Sequence, residues 1–329
     1  MEEPAPVVSV QAPEGACTDI RYLSWVWQFS RDGSAAEIAS LLADNRLGVL
    51  LKTHDGTDWM ATYDTSPDAV SGPQQVRFLA DYFEGQGVPF HAWAVVKGLD
   101  PVKEAEMAAQ VLAAGARSLV LDLEPWTGFW QGTPEAARIF GQELRRMQPG
   151  ATVITSIDPR PWGMAAVPLA EFASFSNALA PTIYWETFNS PSNLEKYVAA
   201  GWTPGPDGIT PEFLVEVTAA ILAPYNLPIR PVGQGASQDA GTWTRFLDRA
   251  SQAGMADASV WRHGVTNSQV WPLLKERTPA GPAYVVQPGD TLGTLAARWS
   301  VSVEAIARTN QIADSNFISV GQVLCIPSA

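Results

Sequence analysis

Short apolar runs alternate with longer amphipathic stretches about eight times through the first four-fifths of the chain. The runs Tyr22–Phe29, Gly48–Lys52, Pro89–Val96, Ser118–Leu123, Ala151–Ile157, Ala178–Trp185, Ile229–Val232 and Ala258–Trp261 are short and rich in apolar residues, a pattern that predicts strands buried on both faces. Helical periodicity lies between them at Ala35–Asn45, Pro73–Gly85, Pro101–Ala114, Pro134–Met147 and Leu169–Phe175. It continues with a pair around Leu194–Ala200 and Pro211–Leu222, then Gly241–Ala253 and a last helix near Asn267–Lys275. Eight alternations over roughly 260 residues have the rhythm of a closed (β/α)8, TIM-type barrel, an α/β fold. An open doubly wound sheet is the second candidate. Gln28-Phe29-Ser30-Arg31-Asp32-Gly33-Ser34 follows the first strand, where a nucleotide-binding sheet would carry a Gly-rich phosphate loop, so a nucleotide enzyme is disfavoured.

The pattern breaks twice. Residues 1–17 contain three prolines and no periodicity, which predicts a loose N-terminal arm. Glu276-Arg277-Thr278-Pro279-Ala280-Gly281-Pro282-Ala283 predicts a short stiff linker at 277–283. The expected organisation is therefore an arm at 1–17, a barrel at 18–276, the linker, and a small module at 284–329.

Composition narrows the partners. The 329 residues are 46% hydrophobic and only 17% charged, with 13 tryptophans, enough for a large core. The net charge of −13 argues against nucleic acid and against an anionic membrane surface, both of which need clustered Lys and Arg. Residues 284–329 carry a net −1, so the acidity belongs to the preceding region. Cys17 and Cys325 are the two cysteines and lack metal-ligand spacing; a single bridge between the chain ends is the remaining option, and no metal or cofactor is expected. No stretch reaches the about 18 apolar residues of a membrane helix, and Met1-Glu2-Glu3-Pro4 does not read as a secretory signal.

Barrel active sites are built at the C-terminal ends of the strands. Those positions hold Trp25, Trp27 and Gln28; Lys52, His54 and Asp55; Trp93 and Lys97; Asp122, Glu124 and Trp126; Asp158 and Arg160; Tyr184, Trp185 and Glu186; Gln234 and Ser237; and Trp261, Arg262 and His263. Indole faces stack on pyranose rings while the polar groups take hydroxyls, so this set suits a sugar, with Trp25, Trp27, Trp93, Trp126, Asp158, Glu186, Gln234 and Trp261 as substrate contacts. Asp122 and Glu124, two apart on the fourth strand, face one pocket. Their mutual repulsion and the neighbouring Trp126 raise the proton affinity of one member and leave Glu124 able to act as an acid. The alternative for the pair is a helix cap or loop clamp. His54 and His263 make a metal site a weaker alternative, and His91, early in its strand, is expected to be a satisfied buried residue.

Asp-x-Glu closing an apolar fourth strand resembles the barrel lysozymes of glycoside hydrolase family 25 and, more loosely, the chitinase-like family 18. The resemblance implies that Glu124 is the general acid and that Asp122 assists it or orients the acetamido group. Ala180-Pro181-Thr182-Ile183-Tyr184-Trp185 is similar to the sixth-strand segment of chitinase-like enzymes, which implies that Tyr184 supports the acetamido group; Val260-Trp261 is similar to their eighth-strand Trp. The implied chemistry is glycosidic-bond hydrolysis with the substrate's own acetamido oxygen, or a water, attacking the anomeric carbon. The chain departs from both families: Leu23-Ser24-Trp25-Val26-Trp27 lacks the first-strand Asp of family 25, and Ser118 and Val120 stand where chitinases have acidic or small residues. Asp158 and Glu186 are the candidates for a further carboxylate.

The C-terminal segment resembles a LysM module, βααβ in fold. Tyr284-Val285-Val286-Gln287-Pro288-Gly289-Asp290-Thr291-Leu292 is similar to its first strand and turn, and Leu295–Trp299 and Val303–Asn310 to its helices. Val320–Pro327 is similar to its closing strand. Asp290 or Thr291 can cap the first helix, and Gly289 supplies the turn. The resemblance implies a groove for peptidoglycan, chitin or another N-acetylglucosamine-containing glycan between Gly289–Leu292 and Ser315–Ile318, lined by Gly289, Asp290, Thr291, Leu292, Asn316, Phe317 and Ile318. Barrel and module together imply a cell-wall glycoside hydrolase, extracellular or wall-associated. The alternative is a non-catalytic glycan-binding or structural component, for example of a phage tail or contractile injection particle, with the module docking onto a protein assembly.

Overall fold

The computed structural model describes residues 22–255, 257–278, 283–310, 312 and 314–326. The expected arm, Cys17 and most of the expected linker lie outside the described residues, and with Cys17 the proposed bridge to Cys325. Chain contacts separate two compact units, the first running to Lys275 and the second beginning at Glu276.

Eight parallel strands form the first unit: β1 (Tyr22–Val26), β2 (Gly48–Asp55), β3 (Phe90–Val95), β4 (Ser118–Leu123), β5 (Thr152–Ile157), β6 (Ala178–Ile183), β7 (Val232–Gln234) and β8 (Ala258–Trp261). Each pairs with the next, and β1 pairs with both β2 and β8, which closes the barrel. The open sheet is thereby excluded. Closure removes the edges that would otherwise expose unpaired backbone groups.

The helices between strands start where local chemistry tells them to. Asp100, Thr133, Ser190 and Thr210 each precede a proline, and each side chain accepts a hydrogen bond from the backbone N–H three residues on. The side chain satisfies an orphan donor and the proline pre-sets the first helical φ. Ser34 and Glu37 form a reciprocal capping box on the helix Ala35–Asp44.

Alternation along the strands sorts the side chains into two cores. Leu119, Leu121 and Leu123 of β4 pack outward under the helices. Trp25, Leu50, Trp93, Val95, Val120, Ile154, Ala178, Ala180 and Val232 fill the barrel interior. That interior is plugged, so a ligand site can exist only above it, at the strand C-termini.

The strand boundaries depart most from the sequence reading at β1, β2 and β7. β1 stops at Val26, because Phe29–Asp32 turns into a short helix whose first N–H groups are taken by Asp64. β2 continues to Asp55 through a register shift between Lys52 and His54, and the two-residue segment Asp58–Trp59 doubles back on its end. β7 is Val232–Gln234, and Ile229 makes only an isolated bridge to Leu179. Among the described residues, no helix is long and apolar enough to cross a membrane.

In the second unit β9 (Ala283–Val285) pairs antiparallel with β10 (Val323–Cys325) around the helices Leu292–Trp299 and Val303–Thr309. Val286, Leu292, Leu295, Ile306, Leu324 and Ile326 form its core. Asn310 staples helix to strand, its amide donating to the Ile306 and Cys325 carbonyls and its oxygen accepting from the Cys325 N–H at 2.7 Å.

Candidate active site

A cavity of about 540 Å3 opens at the C-terminal end of the barrel. Seven of the expected catalytic and substrate-contact residues line it, Asp122, Glu124, Tyr184, Trp25, Trp27, Trp93 and Trp261, together with Gln28, Lys52, Asp55 and Arg262 from the same strand-end set. Trp25, Trp93 and Trp261 meet edge to face with centroids 5.0–5.6 Å apart. Trp25 and Trp93 are buried, their N–H groups bonded to Ser259 Oγ and the Val26 carbonyl. They form a rigid floor, leaving the less buried Trp27 and Trp261 to offer ring surface.

The carboxyl pair lies in this cup. Burial, chiefly, raises Asp122 to about 7; the nearby Lys52 cation and a hydrogen bond from Ser156 oppose the rise. Burial and then the charges of Asp122 and Asp158 push Glu124 up to about 8. Near neutrality the two carboxyls therefore hold a proton between them. Burial and the same three carboxylates also drive the Tyr184 phenol well above its ordinary range, so it remains a hydrogen-bond donor.

Four predicted sugar contacts do not reach the cavity wall. Asp158 is buried and gripped by Arg160 through bonds of 2.7–3.0 Å, while Arg160 lies over the rings of Phe188, Trp126 and Trp162. Trp126 is thus occupied at the rim, 44% exposed. Glu186 accepts from Gln234 Nε2, Ser237 Oγ and the Gln238 N–H, and Gln234 accepts from Thr187, which makes this pair a clamp between the loops after β6 and β7. Neither Asp158 nor Glu186 is a free second carboxylate, because each has its lone pairs committed.

Other wall residues come from positions the motif reading passed over. Ser156 stands opposite Asp122 in the β4–β5 register. Met60, Tyr63 and Phe129 line the cavity from loops, where neither period nor motif marks them. Lys52 and Asp55 also line it, and both Lys52 and Lys97 contact Asp55, at 2.6 and 2.5 Å. Burial raises Asp55, but the two ammonium groups outweigh it and hold its carboxyl below the usual range. Arg262 pairs with the buried Asp32 and lies over Trp27 at 5.2 Å.

The histidines are structural. Burial drives His54 to about 3 and His91 and His263 to about 4, so all three are neutral at pH 7. His91 meets Ser118 Oγ at 2.7 Å and His54 meets Thr53 Oγ1 at 2.9 Å. Among the described residues, no group of three or more His, Cys, Asp or Glu is arranged to hold a metal ion.

In the second unit Thr291 caps its helix, whereas Asp290 accepts from Tyr284 Oη and the Gln287 N–H, both at 2.7 Å. Leu292, expected to contact glycan, belongs instead to the core: it is 1% exposed. Gly289 adopts φ 92°, Asn316 bonds to Asp314, and Ile318 packs against the core. Phe317, 72% exposed, is the apolar side chain this loop presents to solvent.

No curated protein matches the chain. Solved structures similar to the barrel include a family 18 N-acetylglucosaminidase from Paenibacillus barengoltzii (TM-score 0.53, 8% identity, 79% of this chain and 100% of that one). Two others are a GH18 chitinase from Pseudoalteromonas aurantia (0.52, 11%, 77% and 97%) and the catalytic domain of a chitinase from Pyrococcus furiosus (0.51, 13%, 78% and 93%). At these identities the similarity is one of fold. Residues 284–327 match the LysM domain. The chain is an eight-stranded parallel barrel with the fold of family 18 glycoside hydrolases, followed by a LysM domain.

Proposed function

We propose that the chain is a hydrolase of N-acetylglucosamine-containing cell-wall glycan, held on its polymer by the LysM domain and working outside the cell or at the wall. The observation that carries this reading is the proton-sharing pair Asp122 and Glu124 in a tryptophan-walled cup. Glu124 gives its proton to the glycosidic oxygen as the C–O bond breaks. With Asp158 and Glu186 committed elsewhere, the nucleophile is the substrate's own acetamido oxygen. Asp122 accepts from the acetamido N–H and the Tyr184 hydroxyl donates to its oxygen. A water then opens the cyclic intermediate, returning its proton to Glu124. Tethering by the LysM domain raises the local concentration of bonds without adding contacts at the cup.

Release of reducing ends from purified peptidoglycan and from chitin tests the proposal. Glu124 must be protonated to act, and its raised proton affinity keeps it so up to about pH 8. Asp122, raised to about 7, must in turn be ionised, so the rate is expected to peak between about pH 7 and 8 and to fall about tenfold per pH unit on either side. A protein that binds either polymer yet releases nothing is a glycan-binding platform, and the hydrolase reading fails.

The LysM contribution is read separately by co-sedimentation with the same polymers. Phe317→Ala in the full chain is expected to weaken retention about tenfold with an unchanged melting temperature, since the ring is exposed. Equal retention removes Phe317 from the glycan surface.

A further inference from the structure

One proton shared by Asp122 and Glu124 serves acid catalysis only when it sits on Glu124. Burial raises both groups, so the flanking charges must decide between them. Lys52 and Asp55 are three apart, and strict strand alternation would send them to opposite faces of the barrel. The register shift between Lys52 and His54 changes this: Lys52 stands opposite Trp93, Asp55 opposite Val95, and Val95 opposite Asp122 on β4. The extra residue thus turns both side chains into the cavity beside Asp122. Lys52, only 6% exposed, is fixed by Asp55 at 2.6 Å and by the Trp93 ring at 4.9 Å. Because Lys97 pairs with the same Asp55 and also feels the Asp58 charge, the Asp55 carboxylate is shared between two ammonium groups and does not belong to Lys52 alone.

We propose that Lys52 is a positioning residue of the hydrolase, turned inward by the bulge in β2 to keep Asp122 ionised, so that the proton of the pair resides on Glu124. The proposal rests on the reading of Glu124 as the acid. The remaining groups facing the pair are Ser156 from β5, Asp158 and Arg160 after it, Tyr184 after β6, and Trp126 after β4. Ser156 acts with Lys52 on Asp122, and Asp158 disfavours charge on Glu124; Asp55 works against Lys52, and Arg160 and Trp126 against Asp158.

Carboxyl 13C titration of the full chain, with signals assigned through Asp122→Asn and Glu124→Gln, tests this alongside the pH–rate profile. In wild type, Asp122 ionises first. Lys52→Met is expected to invert that order, lower kcat about tenfold with KM nearly unchanged, and displace both limbs of the profile to higher pH. Lys52→Arg restores the wild-type order. If Lys52→Met does not fold, Asp55→Asn supplies the opposite sign, since it leaves the Lys52 charge unopposed and moves both limbs to lower pH. An unchanged titration order in folded Lys52→Met, or unmoved limbs in Asp55→Asn, overturns the proposal. The titration is readable even where wild type hydrolyses nothing, so failure of the hydrolase reading is distinguished from failure of the role of Lys52.

Discussion

Glu124→Gln is expected to lower the release of reducing ends by about 10²- to 10⁴-fold, the usual contribution of a positioned acid, while leaving retention on the polymer intact. Glutamine keeps the shape and removes the transferable proton. The same substitution should raise stability, and the sign follows from linkage. The folded chain holds the Glu124 proton up to about 8, against 4.5 for an ordinary Glu, so stability drains away as pH rises between those values. Glutamine carries no such penalty. Its melting temperature should therefore exceed that of wild type by more at pH 8.5 than at pH 4, as calorimetry at the two pH values would report. A variant that loses hydrolysis and also melts lower at alkaline pH would mean that Glu124 is a structural clamp, and the acid assignment would be withdrawn.

Asp32→Asn is the second large effect. The Asp32 side chain is wholly buried, pairs with Arg262, and accepts from the N–H groups of Trp27 at 2.6 Å and Gly264 at 3.1 Å. It ties the loop after β1 to the loop after β8, the two loops that present Trp27 and Arg262 to the cavity. An amide cannot neutralise the guanidinium or serve all these donors. Breaking a buried pair on one side costs about 3–5 kcal/mol. For a unit of this size that corresponds to a fall of roughly 10 °C in melting temperature. KM for oligosaccharide should rise as well, because Trp27 loses both its backbone anchor and the cation above its ring. A melting temperature within about 2 °C of wild type would show that the tie contributes little.

The rhythm of the barrel was legible because its signals are local. Asp100-Pro101, Thr133-Pro134, Ser190-Pro191 and Thr210-Pro211 carry a cap and an N-terminal proline in adjacent positions. Asp122 and Glu124 were legible for the same reason, two residues apart where a strand of period two ends at Leu123. Asp158 and Glu186 misled, since a carboxylate at a strand end looks alike whether it faces the cavity or is already gripped by Arg160 or Ser237. Leu292 misled in the other direction: resemblance to a module marks fold-maintaining and ligand-facing residues with equal force.

By itself, then, the sequence determined the eight strand–helix alternations, the LysM pattern and the inward pair Asp122 and Glu124. All depend on periods and caps that operate within a few residues. Only the tertiary structure decided which charges surround the pair. The bulge in β2 brings Lys52 and Asp55 to one face and turns His54 away; closure of the barrel joins Asp32 to Arg262 across 230 positions; and the β4–β5 register sets Ser156 against Asp122. Strand register and closure are settled by packing between segments far apart in the chain, and no local pattern encodes which of them will meet.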